Sequence, residues 1–359
     1  MAYELTELDE LVFDAIAEES SLVAIDPTHF AVAYYGSAGG VIKTFSIDGS
    51  YNITEIDSLT HDVSSSANSL IKIDSSHLML SAMCGGDNFI KIFSIDGSYN
   101  ITEIKSFAHS TTTGKATSLV MIDSTHFMLA FSGGDCIIKT FSIDELYNIT
   151  QIDALTFDTG YGYSASLVKI DSTHFMLAID NGDATIKTFS IDGSYSNITE
   201  IDSFIHDSGD GGDESLVVID STHFILIYKG YGSDGFIKTF SIDGSYNITE
   251  IDSLEYDNSI GIFGSLVKLS DTTFLATYRG DGSNVKMFSI NESYEITVIG
   301  SGVFTNTIDG KSSLVMINPT NFIVAYDIGE ENGRIKTFSF IDTVEMIGLE
   351  EINSEYSYF

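Results

Sequence analysis

Carboxylates are the residues of this chain best equipped to hold a ligand, and they crowd most densely in Asp207-Ser-Gly-Asp210-Gly-Gly-Asp213-Glu214. Hard oxygen donors on a flexible glycine-rich loop suit Ca2+, which makes Asp207, Asp210, Asp213 and Glu214 the candidate calcium ligands. The Asp-x-Asp-x-Asp-Gly spacing of EF-hand loops is missing, so a solvated loop is the competing reading. No other cofactor is expected. Histidine offers a second chemistry in Asp26-Pro-Thr-His29, in Asp74-Ser-Ser-His77, and in Asp-Ser-Thr-His at 123–126, 171–174 and 220–223. A metal centre gathers several histidines, whereas these fall one to a segment. None has a paired nucleophile. An aspartate that opens a turn accepts backbone N–H groups, so the motifs read as turns. Cys84 and Cys136 stand at non-equivalent places and read as free thiols.

These motifs recur because the whole chain recurs. Ser-Leu-(Val/Ile) appears at Ser21, Ser69, Ser118, Ser166, Ser215, Ser265 and Ser313, at intervals of 48, 49, 48, 49, 50 and 48 residues. Each unit holds four short apolar runs separated by Gly, Asp and Ser, the pattern of strands and tight turns. Four strands per unit at this period describe a propeller blade, so the chain is expected to be an all-β, seven-bladed β-propeller over residues 1–342. Residues 3–9, Tyr-Glu-Leu-Thr-Glu-Leu-Asp, align with 51–57, Tyr-Asn-Ile-Thr-Glu-Ile-Asp. Residues 1–14 therefore supply a fourth strand to complete the last blade. This overlap resembles the ring closure of WD-repeat propellers, and the strand order is similar. The resemblance implies architecture only, since the chain has no Trp and no Gly-His pair.

Within a unit, folding at Asp48-Gly49-Ser50 sets Ile47 against Tyr51, Phe45 against Ile53 and Lys43 against Glu55. The lysine recurs as Lys91, Lys139, Lys187, Lys238, Lys286 and Lys336, with Gln151 and Val298 replacing the acidic partner in two units. These lysines read as structural.

Propeller enzymes supply a check. Sialidase-type propellers bind a carboxylate with several arginines, and here only Arg279 and Arg334 exist. Their Asp-box also fails, because in Ser46-Ile47-Asp48-Gly49 the glycine comes one residue early and no Trp follows. Glycosidases need two unlike carboxylates at a set separation, which cannot be picked out among 52 acids. Near-identical blades are poor at gathering unlike groups, so the chain is expected not to be an enzyme.

What differs between units is the loops between the second and third strands and between blades, and these share one face. On that face Tyr35, Asp87, Asp183, Tyr231, Asp234, Arg279 and Glu331 are the candidate partner-binding residues. The tail, 343–359, departs from the repeat and ends Tyr356-Ser-Tyr358-Phe359, a docking segment or a cover for the last blade.

Composition narrows the partners. The net charge of −36 repels nucleic acid and anionic membranes. No apolar run is long enough to span a bilayer. Residues 1–14 are acidic and lack the basic start of a signal peptide. Without such a signal the Asn-Ile-Thr sequons at Asn52, Asn100, Asn148, Asn197 and Asn247 are expected to stay unmodified. The reading is a non-catalytic recognition or structural component of an extracellular or virion-type assembly, with a protein or glycan partner. The alternative is a lectin-like binder with one glycan site per blade, stacking sugars on Tyr51, Tyr99, Tyr147, Tyr195, Tyr246 and Tyr294.

Overall fold

The computed structural model describes residues 3–160, 162–209, 211–305, 310–328 and 332–342; the tail lies outside the described residues. Its strands form seven four-stranded antiparallel sheets, the expected propeller blades. Blade 1 comprises Ala17–Asp26, His29–Gly36, Gly39–Ile47 and Ile53–Asp62, paired in chain order. In the seventh sheet Ser312–Asn318, Asn321–Asp327 and Gly333–Asp342 are followed, at the outer edge, by Tyr3–Asp14. There Leu5 lies opposite Phe340 and Leu11 opposite Ile335. First strands of successive blades touch one another around the axis, Ala17–Asp26 meeting Ser312–Asn318. Among the described residues no helix is long and apolar enough to cross a membrane.

The middle strands of each blade are covered on both faces, which is why Phe30-Ala-Val-Ala-Tyr34 is an unbroken apolar run and wholly buried. The outer strand Ile53–Asp62 has one covered face and alternates. Apolar packing is divided among the junctions between blades. Phe30, Val32 and Phe45 of blade 1, for example, pack with Ile323, Ala325 and Ile335 of blade 7. Each fully buried phenylalanine contributes roughly 1.5–3 kcal/mol.

The repeated polar residues tie neighbouring blades together. The serine of six Ser-Leu pairs accepts a bond from the leucine N–H of the next blade: Leu70 to Ser21, Leu119 to Ser69, Leu167 to Ser118, Leu216 to Ser166, Leu266 to Ser215 and Leu22 to Ser313, at 2.9–3.1 Å. The buried lysine reaches backwards. Lys43 Nζ donates to Phe13 O at 2.7 Å and to Glu55 at 2.9 Å, and Lys139 donates to His109 O at 2.7 Å. Lys43 thus satisfies a carbonyl of the preceding blade as well as a carboxylate of its own.

The hairpin register differs from the expected one by two residues. Ile47 faces Ile53, Phe45 faces Glu55 and Lys43 faces Ser58. The turn runs through Asp48–Asn52 because Asp48 Oδ1 accepts the N–H groups of Ser50 and Asn52, and Tyr51 adopts φ +65°. A bulge between Thr44 and Phe45 then shifts the pairing once more. Glu55 still reaches Lys43, now diagonally. Cys84 and Cys136 are buried free thiols, as expected.

Candidate functional site

At the axis the first strands open onto a cavity of about 230 Å3. These strands begin at the end of the ring that carries the variable loops. In blades 1, 2, 5 and 6 the strand entry contains a register shift, between Glu18 and Ser21, Ser66 and Ser69, Gly212 and Ser215, and Ile262 and Ser265. Each shift places a non-glycine residue in the left-handed region: Glu19 at φ 54°, Ala67 at 49°, Asp213 at 56° and Phe263 at 57°. That conformation costs roughly 1–2 kcal/mol per residue, and bulges of this kind re-aim side chains at functional sites. All four residues line the cavity, together with Lys115, Tyr163, Ser164, Glu214 and Lys311.

The cavity has three sectors of different chemistry. Between blades 7 and 1, Lys311 Nζ lies 3.0 Å from Glu19 Oε2, and each side chain keeps about a third of its surface accessible. Burial pulls the Lys311 pKa down, but Glu19 outweighs it and holds the ammonium above its ordinary value. Between blades 3 and 4, Lys115 Nζ sits 4.5 Å from the centre of the half-exposed Tyr163 ring. The third sector belongs to blade 5. Asp213 accepts the Phe263 N–H at 3.1 Å, yet burial still raises its pKa. Glu214 is only 7% exposed. Ser164 donates a hydrogen bond to its Oε2, while Oε1 has no hydrogen-bond partner among the described residues. Burial first, with Asp180 and Asp213, pushes the Glu214 carboxyl up to about 8 against the opposing pull of its own backbone N–H and of Lys229. Burial thus favours the protonated form of this carboxyl.

The candidates drawn from the loops stand elsewhere. Tyr35, Asp87 and Arg279 are half-buried near strand ends, Asp183 and Tyr231 are exposed, and Asp234 is half-buried in the loop beside Tyr231. None of these lines the axial cavity. Glu331 lies outside the described residues. Of the proposed calcium ligands, Asp207 accepts from the Tyr228 hydroxyl at 3.2 Å, Asp213 and Glu214 face the axis, and Asp210 lies outside the described residues. No three His, Cys, Asp or Glu among the described residues are grouped as a metal would need.

On the opposite face the histidine turns form contacts between blades. Asp26 Oδ1 accepts the Thr28 N–H at 2.8 Å, and His29 Nδ1 lies 3.0 Å from the same oxygen. The tyrosine of the next blade stacks on each histidine, with ring centres 3.5–4.0 Å apart in the pairs His29–Tyr99, His77–Tyr147, His126–Tyr195, His174–Tyr246 and His223–Tyr294. Each hydroxyl donates to that turn's aspartate at 2.6–2.8 Å. Tyr51, lacking a histidine, meets the Asn318 amide at 3.1 Å. Their rings and hydroxyls are committed to blade packing, so the lectin-like reading with one sugar platform per blade does not hold.

No protein-family model matches the sequence, and no curated protein does either. Solved propellers do match in fold. A Lactobacillus plantarum protein shares 12% identity at a TM-score of 0.67, over 82% of this chain and 86% of that one. A periplasmic gluconolactonase of Pseudomonas aeruginosa shares 13% at 0.63, over 81% and 86%. A candidate 6-phosphogluconolactonase of Bacteroides fragilis shares 12% at 0.61, over 81% and 84%.

Two of these three matches carry the names of enzymes, and they overturn the expectation of a non-catalytic recognition component. The argument behind that expectation also fails physically. Near-identical blades do gather unlike groups here, because the two residues before each Ser-Leu pair are where the blades disagree. They read Glu-Ser, Ala-Asn, Ala-Thr, Ser-Ala, Asp-Glu, Phe-Gly and Lys-Ser in blades 1 to 7. That column of differences, beside the most constant motif in the chain, was the available signal for Glu19, Ser164, Phe263 and Lys311.

Proposed function

We propose that the chain is a hydrolase of sugar-type lactones and that the reaction takes place in the axial cavity. The observation that carries this reading is the convergence from different blades, on one small cavity, of two lysines, an ion-paired carboxylate and the adjacent acids Asp213 and Glu214. The fold shared with propellers named for lactone hydrolysis supports it.

Opening a lactone needs a water activated for attack on the carbonyl carbon and positive charge near the oxygen that becomes an anion. Asp213 is the base for that water. Lys311 and Lys115 supply the charge, inside a recess where it is less screened than in bulk water. Tyr163 and Phe263 give apolar surface to the carbon face of the ring.

The test is acid release from glucono-δ-lactone and related γ- and δ-lactones, followed in a pH-stat above the spontaneous rate. Saturable acceleration is expected, with Asp213→Asn lowering kcat by about 100-fold or more. A panel of lactones with no saturable acceleration by the wild-type chain would remove the reading.

A further inference from the structure

Resting on that reading, we infer that Glu214 is the proton donor to the departing ring oxygen, and that Ser164 is the residue that positions it. Glu214 is buried and lines the cavity, so its carboxyl lies beside the axial space. One oxygen is fixed by the Ser164 hydroxyl from blade 4. The other, Oε1, is buried and has no hydrogen-bond partner among the described residues. A buried polar atom without a partner costs roughly 1–3 kcal/mol, which a ligand group that meets it would relieve.

The charged and titratable groups facing Glu214 come from several elements. Asp213 precedes it on the same strand, and Asp180 ends the second strand of blade 4. Lys229 ends the second strand of blade 5, after Tyr228, and Lys311 comes from blade 7. Burial and the two aspartates favour the protonated carboxyl, as a donor requires at neutral pH.

The step balances. The water oxygen bonds to the carbonyl carbon as one of its protons passes to the Asp213 carboxylate. The ring C–O bond then breaks, its electron pair goes to the ring oxygen, and that oxygen takes the proton of Glu214. The product is a hydroxy acid. Proton return from Asp213 to Glu214 through solvent restores the starting state.

The experiment is the pH dependence of kcat for lactone opening by the wild type and by Glu214→Gln, with melting temperatures measured on both. In the wild type, kcat is expected to fall on the alkaline side, because the donor loses its proton there. In the folded variant kcat should drop about 100-fold or more and the alkaline fall should vanish. Ser164→Ala should keep the alkaline fall while lowering kcat by less than the Glu214 substitution does. A wild-type profile with no alkaline fall overturns the assignment whether or not the variant folds. So does a folded Glu214→Gln chain with kcat within about threefold of wild type, and in both cases lactone hydrolysis itself still stands. A wild type inert toward every lactone overturns hydrolysis and donor together.

Discussion

Lys311 and Glu19 meet at 3.0 Å inside the axial cavity, and their ion pair joins the seventh blade to the first. A pair this accessible contributes less than about 1 kcal/mol to stability, because water and salt screen it and two long side chains must be held in place. Its value is expected in chemistry instead. Lys311→Met should leave the melting temperature within a few degrees of wild type and lower kcat/KM for lactones by about 10-fold or more. Unchanged kinetics with a large loss of stability would make the pair a structural clasp.

The N-terminal strand invites a second prediction. Tyr3–Asp14 pairs with Gly333–Asp342, Glu7 lies 2.7 Å from Lys336, and Asp9 accepts the Ile53 N–H at 2.7 Å. Phe13 is buried against Tyr34 and Phe45. Removing residues 1–14 deletes these contacts and leaves Gly333–Asp342 as an open sheet edge. The shortened chain should aggregate or melt more than about 10 °C lower in a thermal scan. A monomer with an unchanged melting temperature would show that the ring holds without this strand.

How legible was all this from the sequence? The blades were legible because each repeated residue has a repeated partner. The Ser21 column accepts a leucine N–H from the next blade, and the Lys43 column satisfies a carbonyl of the preceding one. Hairpin register was not, since Asp48–Asn52 closes through side-chain bonds and a left-handed Tyr51 that simple strand alternation does not encode. The site was hidden for a different reason. Glu19, Asp213 and Phe263 owe their axial direction to bulges, and the position just before Ser-Leu reads as a strand end until its neighbours around the ring are known.

The last prediction concerns acid. His61, His109 and His206 are largely buried, and neither ring nitrogen of any of them has a hydrogen-bond partner among the described residues. Burial, helped by the nearby lysines, lowers their pKa values from the ordinary 6.5 to about 4, 3 and 3. The sign follows directly. Between the folded and ordinary values the unfolded chain binds more protons, so stability rises with pH through that window. The contribution is whole above about pH 6.5 and drains away as pH falls toward 4 for His61 and toward 3 for His109 and His206. Asp74, Asp171 and Asp220, pushed down to about 2 by hydrogen bonds that outweigh their burial, add a loss that begins only below their ordinary 3.8. The upper part of the acid transition is therefore histidine's. At the equivalent position blades 3 and 6 carry Phe157 and Phe304, and the N-terminal strand carries Phe13, so the site accepts a phenyl ring. His109→Phe and His206→Phe should each reduce the fall in melting temperature between pH 7 and pH 4.5 (roughly the span of this window), without loss of stability at pH 7. Thermal scans across that range decide it, and a double variant whose pH dependence matches wild type would clear these histidines of any part in acid unfolding.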